Sequence, residues 1–206
     1  ADFAFFYSVV SHEIGHQFGA FHTFNSAATG CVNERHGSTA FERGSGSTIM
    51  AYATNCVEDG FQDHSDVHFH SASLEQISSF LATTTCSVNS SSNNSPPTVS
   101  AGPDFTIPIE TPFTLAAQGS DPDGDPVFYA WEERDKGPAQ SLSDPDNGES
   151  PLFRCFIPKK EKKRNFPLLE NLISNTLSLD ELLPSLGRKM KFVAVALDNK
   201  GGFATD

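Results

Sequence analysis

The segment HEIGHQFGAFH, residues 12–22, decides how the N-terminal half of this sequence is interpreted. On an α-helix His12 and His16 lie four residues apart on one face, so their imidazoles can bind a single metal ion. Gly19 can adopt a positive φ and end the helix, and the turn that follows brings His22 to the same point. The spacing therefore predicts three imidazole ligands and one open coordination position.

Glu13 follows the first of these histidines and lies about 100° around the helix from it. A carboxylate in that position can reach a metal-bound water without displacing it, as a general base must. Three neutral nitrogens and a water form the open tetrahedral site of catalytic zinc, which lowers the pKa of the water to about 7. We therefore expect Zn²⁺ as the cofactor and hydrolysis as the reaction. Histidines on an ordinary amphipathic helix are the alternative, but they leave Gly19 and His22 unexplained.

The pattern HExxHxxGxxH, followed by GSGSTIMAYA at residues 44–53, resembles the metzincin metallopeptidases. HTFN after the third histidine, and FHSASLEQI further on, resemble the bacterial reprolysin-like (adamalysin-related) branch. The resemblance implies that Met50 packs beneath the zinc in a tight turn. It also implies that Tyr52 binds the metal or hydrogen-bonds the tetrahedral intermediate. Without the upstream motif, both residues would more often be ordinary core residues.

The expected fold is α+β. The resemblance covers roughly residues 5–86, and residues 1–86 would hold the zinc helix and the lower, C-terminal subdomain of a metzincin. The N-terminal sheet, whose edge strand would pair with substrate, would be missing, so the sequence would be a fragment and its activity alone is left open. Phe-rich residues 3–10 predict the buried start of the zinc helix. Apolar residues at helical spacing in segment 71–81 predict the closing helix.

Residues 98–206 predict an immunoglobulin-like β-sandwich after a Ser/Asn/Pro linker at residues 87–97. Its β-rich runs are TVSAG, FTIPI, FTLAAQ, VFYAWEE, PLFRCFI and KFVAVALD. DPDGD resembles the PKD- and cadherin-like modules of bacterial exoenzymes, and its carboxylates, Asp121, Asp123 and Asp125, could bind Ca²⁺. A solvated Asp-Gly turn is the favoured interpretation. Residues 159–164, KKEKKR, predict a solvated loop, and residues 168–183 predict a helical insertion or a long loop.

Four cysteines are present, and none forms a CxxC pair, so a structural zinc knuckle is not indicated. Disulfides fit a secreted protein better. A bridge between Cys31 and Cys56 would pin the loop after the third ligand, and a bridge between Cys56 and Cys86 is the alternative. Cys155 is expected to be unpaired.

Three further histidines, His64, His68 and His70, alternate along an extended segment with Asp63 and Asp66. They could form a second metal site, but their spacing matches no ligand pattern that we recognise. We therefore favour ordinary structural histidines here.

The overall charge limits the partners. The sequence has 26 acidic and 14 basic residues and a net charge of -12, which argues against nucleic-acid binding. It has no apolar run of the ~20 residues that span a bilayer. We expect a secreted, bacterial zinc endopeptidase that acts on a protein or peptide. A binding or adhesion protein that uses the sandwich is the competing class, and a zinc hydrolase of non-peptide bonds is a weaker one. The sequence does not set the oligomeric state.

Overall fold

The structure is a computed structural model that describes residues 6–53, 55–86, 88, 90–176 and 178–206. A π-helical turn, Phe6–Val10, leads directly into helix α1, Ser11–Gln17. Residues 3–5 of the predicted helix start lie outside the described residues. The prediction of a buried start is wrong for Phe6 and Val9, which are 51% and 41% exposed. Helical spacing shows that a face is apolar, but not that another element covers it.

The chain between α1 and the next long helix is largely irregular. Gly19 ends α1 with φ +83°, which confirms the expected turn. A parallel bridge between Phe24 and Glu42 and a 3₁₀ turn, Val57–Asp59, are its regular features. Helix α2, Ser71–Thr83, then confirms the predicted closing helix. His70 caps it by accepting a hydrogen bond from the backbone N–H of Ala72.

Two small apolar clusters and a disulfide hold this irregular region together. One cluster contains Phe24, Ala28, Cys31, Ala51 and Cys56, and the other contains Ala20, Ile49 and Met50. A disulfide joins Cys31 to Cys56 across a sequence separation of 25. The bond ties the loop after the third histidine to the chain after Met50, so a short, irregular segment has a fixed course.

The C-terminal part consists of short antiparallel strands and one short helix. In chain order these are β1, Thr98–Ser100; β2, Phe113–Ala116; β3, Gln118–Ser120; β4, Phe128–Glu133; β5, Lys163–Phe166; helix α3, Leu169–Ser174; β6, Phe192–Leu197; and β7, Phe203–Thr205. Strand β1 pairs with β3, β2 pairs with β5, and β4, β6 and β7 form a three-stranded sheet in that order. Aromatic residues Trp131, Phe153 and Phe166 are buried in the core between them.

Two predicted strands do not form. FTIPI, residues 105–109, is irregular; it contains Pro108, which has no N–H to donate to a ladder. PLFRCFI makes only an isolated bridge, from Phe153 to Glu181. Four other predicted runs do form strands, namely β1, β2, β4 and β6.

The basic run at residues 159–164 is not simply a solvated loop. It ends in strand β5, and Arg164 forms an ion pair with buried Glu181 at 2.8 Å. Two cation-π contacts, with Phe156 and Phe166, also hold the Arg164 guanidinium. A run of charged residues does not by itself show which side chains point towards the core when the run forms a strand.

The N-terminal and C-terminal segments share buried polar contacts. Arg43 is 2% exposed and donates to the carbonyl oxygens of Leu179 and Leu142 at 2.8 and 3.0 Å. Asp59 is 1% exposed and accepts from the N–H of Leu142 at 2.9 Å. Glu132 of β4 accepts from the N–H of Ser71 at the start of α2. Among the described residues, no helix is long and apolar enough to cross a membrane.

Candidate metal centre

Helix α1 and the turn after it bring the three predicted ligands together. The Nε2 atoms of His12 and His16 are 3.1 Å apart, and those of His16 and His22 are also 3.1 Å apart. The Nε2 atoms of His12 and His22 are 3.2 Å apart. The positive φ of Gly19 allows this convergence, because it turns the chain back towards the helix within three residues.

The other ring nitrogen of each histidine faces a backbone carbonyl oxygen. Nδ1 of His12 lies 2.7 Å from the oxygen of Ile49, and Nδ1 of His16 lies 2.8 Å from that of Ala20. Nδ1 of His22 lies 2.6 Å from the oxygen of Glu34. A carbonyl oxygen can only accept, so each neutral ring has its proton on Nδ1. All three Nε2 atoms therefore present lone pairs to one another.

Three converging lone pairs without a shared proton repel, and a cation between them removes the repulsion. Zn–N bonds of 2.0–2.1 Å at tetrahedral angles place ligand nitrogens about 3.3 Å apart, close to the distances of this cluster. Burial is the main cause that lowers the pKa of His12 and of His22 below 6.5. Both rings are therefore neutral near neutral pH, the form that binds metal. The three residues fit a zinc ion.

Met50 lies in a tight turn directly against α1. It is fully buried with Ala20 and Ile49, and the N–H of Ala51 donates to the oxygen of Thr48 at 3.0 Å to close the turn. The same turn supplies the Ile49 carbonyl that orients His12. The role of Met50 as an apolar floor beneath the metal stays a prediction.

Tyr52 lies beside the three histidines. Its ring centroid is 4.5 Å from that of His22 and 5.7 Å from that of His12, and it stacks on Phe24. Burial, followed by the charges of Glu34 and Glu13, raises the pKa of the Tyr52 hydroxyl above 10.0. The hydroxyl is thus protonated near neutral pH and can donate a hydrogen bond.

Glu13 is exposed on α1, between the two helical ligands. Its charge acts on both His12 and His22, as a minor cause that opposes the lowering of their pKa by burial. An exposed carboxylate within electrostatic reach of the cluster is free to meet a water or a substrate there.

Glu42 is a site residue that sequence reasoning missed. It is fully buried, and its Oε1 accepts hydrogen bonds from the hydroxyls of Thr23, at 2.6 Å, and Thr48. Its Oε2 accepts from the N–H groups of Ser47 and Thr48 at 2.8 and 3.1 Å. Glu42 thus joins the residue after the third histidine to the turn that contains Met50. A single acid in the polar run ERGSGST gave no signal of this role.

A second group of potential ligands, His70, Glu132 and Cys155, is buried, with ligand atoms within 4.8 Å of one another. Nδ1 of His70 accepts from the N–H of Ala72, so the ring proton is on Nε2, which faces a carboxylate oxygen of Glu132 at 3.3 Å. This arrangement is a histidine–carboxylate pair rather than a set of free ligands. His64 instead lies 2.7 Å from Asp63 at the surface.

The three aspartates of DPDGD also lie within 4.8 Å of one another. Asp121 accepts from the N–H groups of Asp123 and Asp125, as in an Asp-rich turn. Asp125 forms an ion pair with Lys200 at 2.7 Å. Calcium binding here stays a prediction.

The curated proteins and the solved structures give no match. Residues 6–81 match the family model described as Metallo-peptidase family M12B Reprolysin-like. The match includes the histidine cluster, Glu13, Met50 and Tyr52. This part of the chain is therefore similar to the reprolysin-like metallopeptidases, which supports a zinc metallopeptidase in general.

Proposed function

We propose that this chain is the zinc-binding part of a secreted endopeptidase, with an accessory β-rich part. Residues 1–86 are the catalytic part, 87–97 the linker and 98–206 the immunoglobulin-like part. The convergence of three Nε2 atoms at 3.1–3.2 Å is the observation that carries the proposal. The match of residues 6–81 to a metallopeptidase family supports it. The disulfide between Cys31 and Cys56 supports secretion.

His12, His16 and His22 hold the zinc ion in this proposal. Bound zinc activates a water molecule and polarises the scissile carbonyl. Glu13 accepts a proton from the attacking water and returns it to the leaving amine. The hydroxyl of Tyr52 donates a hydrogen bond to the oxyanion that develops on the carbonyl. Met50 packs against Gly15 of helix α1, which carries two of the ligands, and takes no part in proton transfer.

The test has two measurements on the purified chain, zinc content and casein cleavage. We expect one zinc per chain at the histidine cluster, lost in a His12→Ala, His16→Ala double variant. Casein cleavage should disappear with a chelator and return with zinc. Glu13→Gln should keep the zinc and lose about 10²–10⁴-fold in kcat/KM, the usual contribution of a general base. Glu58→Gln, at an exposed acid outside α1, is the matched control and should cleave as the parent does.

Each outcome selects between the candidate classes. If the double-histidine variant binds as much zinc as the parent, the proposed metal centre is wrong. Bound zinc without casein cleavage keeps the metal centre and contradicts endopeptidase activity of this chain on its own; binding of an insoluble protein by residues 98–206 would then support the binding or adhesion class. Glu13→Gln activity within tenfold of the parent would remove Glu13 from the mechanism.

A further inference from the structure

We propose that Arg35 is a positioning residue through which the C-terminal segment fixes the third zinc ligand. The inference rests on the proposed zinc site and adds a role for the β-rich part. In this arrangement residues 137–138 hold the loop whose carbonyl orients His22. The C-terminal segment is then a structural component of the metal centre.

His22 depends on a different kind of support from the other two ligands. The carbonyls that orient His12 and His16 belong to the buried residues Ile49 and Ala20. The carbonyl that orients His22 belongs to Glu34, an exposed residue in the irregular loop after Cys31. The 2.6 Å contact between Nδ1 of His22 and this oxygen is kept only if the loop is held in place.

The disulfide and two backbone hydrogen bonds hold this loop at Cys31, and the side chain of Arg35, the residue after Glu34, adds a restraint at its far end. Its Nε donates to Oδ1 of Asn25 at 2.6 Å, and its Nη2 donates to the carbonyl oxygen of Gly137 at 2.5 Å. Both acceptors are neutral, and the planar guanidinium reaches them in two directions at once. Because Arg35 and Glu34 share a peptide bond, fixing the Arg35 side chain limits movement of the Glu34 carbonyl.

Asn25 extends the same contact to a second point of the C-terminal segment. It is 1% exposed, three residues after His22, and its Nδ2 donates to the carbonyl oxygen of Pro138 at 3.1 Å. Its own carbonyl accepts from the N–H of Gln140 at 3.2 Å. The chain on both sides of the third ligand is therefore attached to residues 137–140.

The acceptors at residues 137–138 are themselves rigidly placed. Gly137 packs against the backbone and side chain of Ser150 without space for a Cβ. The Ser150 hydroxyl donates to the carbonyl oxygen of Pro138 at 2.8 Å. A fixed acceptor can hold the loop, whereas a mobile one would move with it.

The experiment measures zinc affinity in the full chain by competition with a chromophoric chelator. Loss of a group that orients a ligand typically weakens metal binding by about 10–100-fold. Arg35→Ala, which acts through Glu34, should weaken zinc binding about 10-fold. Arg35→Lys keeps the charge but cannot donate in the two fixed directions, so its affinity should fall between those of the parent and Arg35→Ala. The visible spectrum of bound Co²⁺ should shift in the same order, since it reports ligand geometry.

Arg134→Ala is the matched control. Arg134 also joins the two segments, by an ion pair with Glu75 at 2.8 Å and a hydrogen bond to Ser71. It contacts helix α2 and the ring of Phe41, and it has no contact with Glu34, Asn25 or the three histidines among its described hydrogen bonds and ion pairs. Its zinc affinity should stay within twofold of the parent, even where its Tm falls as far as that of Arg35→Ala.

Two results would overturn the inference and leave the proposed function intact. One is an Arg35→Ala affinity within twofold of the parent, and the other is an equal loss in Arg134→Ala. If Arg35→Ala does not fold, an Arg35→Lys variant with parental affinity and Co²⁺ spectrum overturns it as well. If the parent protein binds no zinc, the proposed function is wrong, and the inference about Arg35 is then wrong as well.

Discussion

Gly15 of helix α1 packs directly against Met50. A Cβ at position 15 would overlap Sδ of Met50 and would lie 3.2 Å from Cε1 of Phe69 and 3.3 Å from Cε of Met50. The helix that carries two ligands therefore approaches the Met50 turn so closely because this position has no side chain. The family pattern leaves this position open, so the packing could not be read from the motif.

Gly15→Ala should destabilise the protein although alanine is the better helix former. Overpacking of a buried site costs about 1–3 kcal/mol, against a gain of up to about 1 kcal/mol in helix propensity. We expect a net loss in the free energy of unfolding, measured by urea denaturation, together with weaker zinc binding. Gly187→Ala is the control, because a Cβ there meets nothing within 4 Å, and it should change stability by less than about 0.5 kcal/mol. A Gly15→Ala variant that is more stable than the parent would show that the Met50 side chain moves aside without cost.

Replacing Glu42 by alanine should lower the free energy of unfolding more than replacing it by glutamine. Glu42→Ala leaves the buried N–H groups of Ser47 and Thr48 without an acceptor. The hydroxyls of Thr23 and Thr48, 3.4 Å apart, then have only each other, and we expect a total cost of about 3 kcal/mol or more. Glu42→Gln should cost less, because its oxygen can accept from the N–H groups while the hydroxyls rotate to accept from its amide. Denaturant titration of both variants checks the order, and equal losses would contradict this account of the carboxylate.

Loss of the disulfide should lower stability more than loss of an exposed cysteine. A bridge that closes a loop of this length, a sequence separation of 25, contributes about 3 kcal/mol in the chain-entropy model. The double variant Cys31→Ala, Cys56→Ala should therefore unfold at a clearly lower temperature than Cys86→Ser, whose residue is exposed and free. Thermal unfolding followed by circular dichroism measures both, and equal Tm values would argue against a stabilising bridge.

Acid should destabilise the protein partly through His70. Burial lowers the pKa of His70 to about 4 from 6.5. Between these values the unfolded chain binds a proton that the folded chain excludes, so this contribution to stability falls as the pH falls from 6.5 to about 4. The full effect is about 3 kcal/mol.

The variant His70→Asn isolates this term, because asparagine also caps helices but does not titrate. Burial raises the pKa of the neighbouring Glu132, which acts in the opposite direction and is present in both proteins. Urea denaturation across this range should show a smaller acid loss in His70→Asn than in the parent. Parallel pH profiles would mean that His70 does not titrate as described.

The sequence predicted the convergence of the three histidines better than the fold around them. A three-histidine pattern on a short helix fixes its own geometry, since the 3.6-residue period and the turn at Gly19 place His12, His16 and His22 within a few ångströms. Strand prediction worked in the continuous, largely buried runs of β4 and β6, and failed at residues 105–109. The contacts made by Glu42 and Arg35 depend on residues distant in sequence, or on backbone carbonyls that carry no residue-specific signal.

The side chain of Arg43 has a consequence for protein engineering. Arg43 lies between the third histidine and Met50 in the sequence, but its guanidinium donates to main-chain oxygens of Leu142, Pro151 and Leu179 in the C-terminal half. Excising the β-rich half would remove these acceptors and expose the guanidinium to water. A different module placed there would need to offer equivalent oxygens, because a cation that is buried without acceptors is costly. The two halves should accordingly be transplanted together.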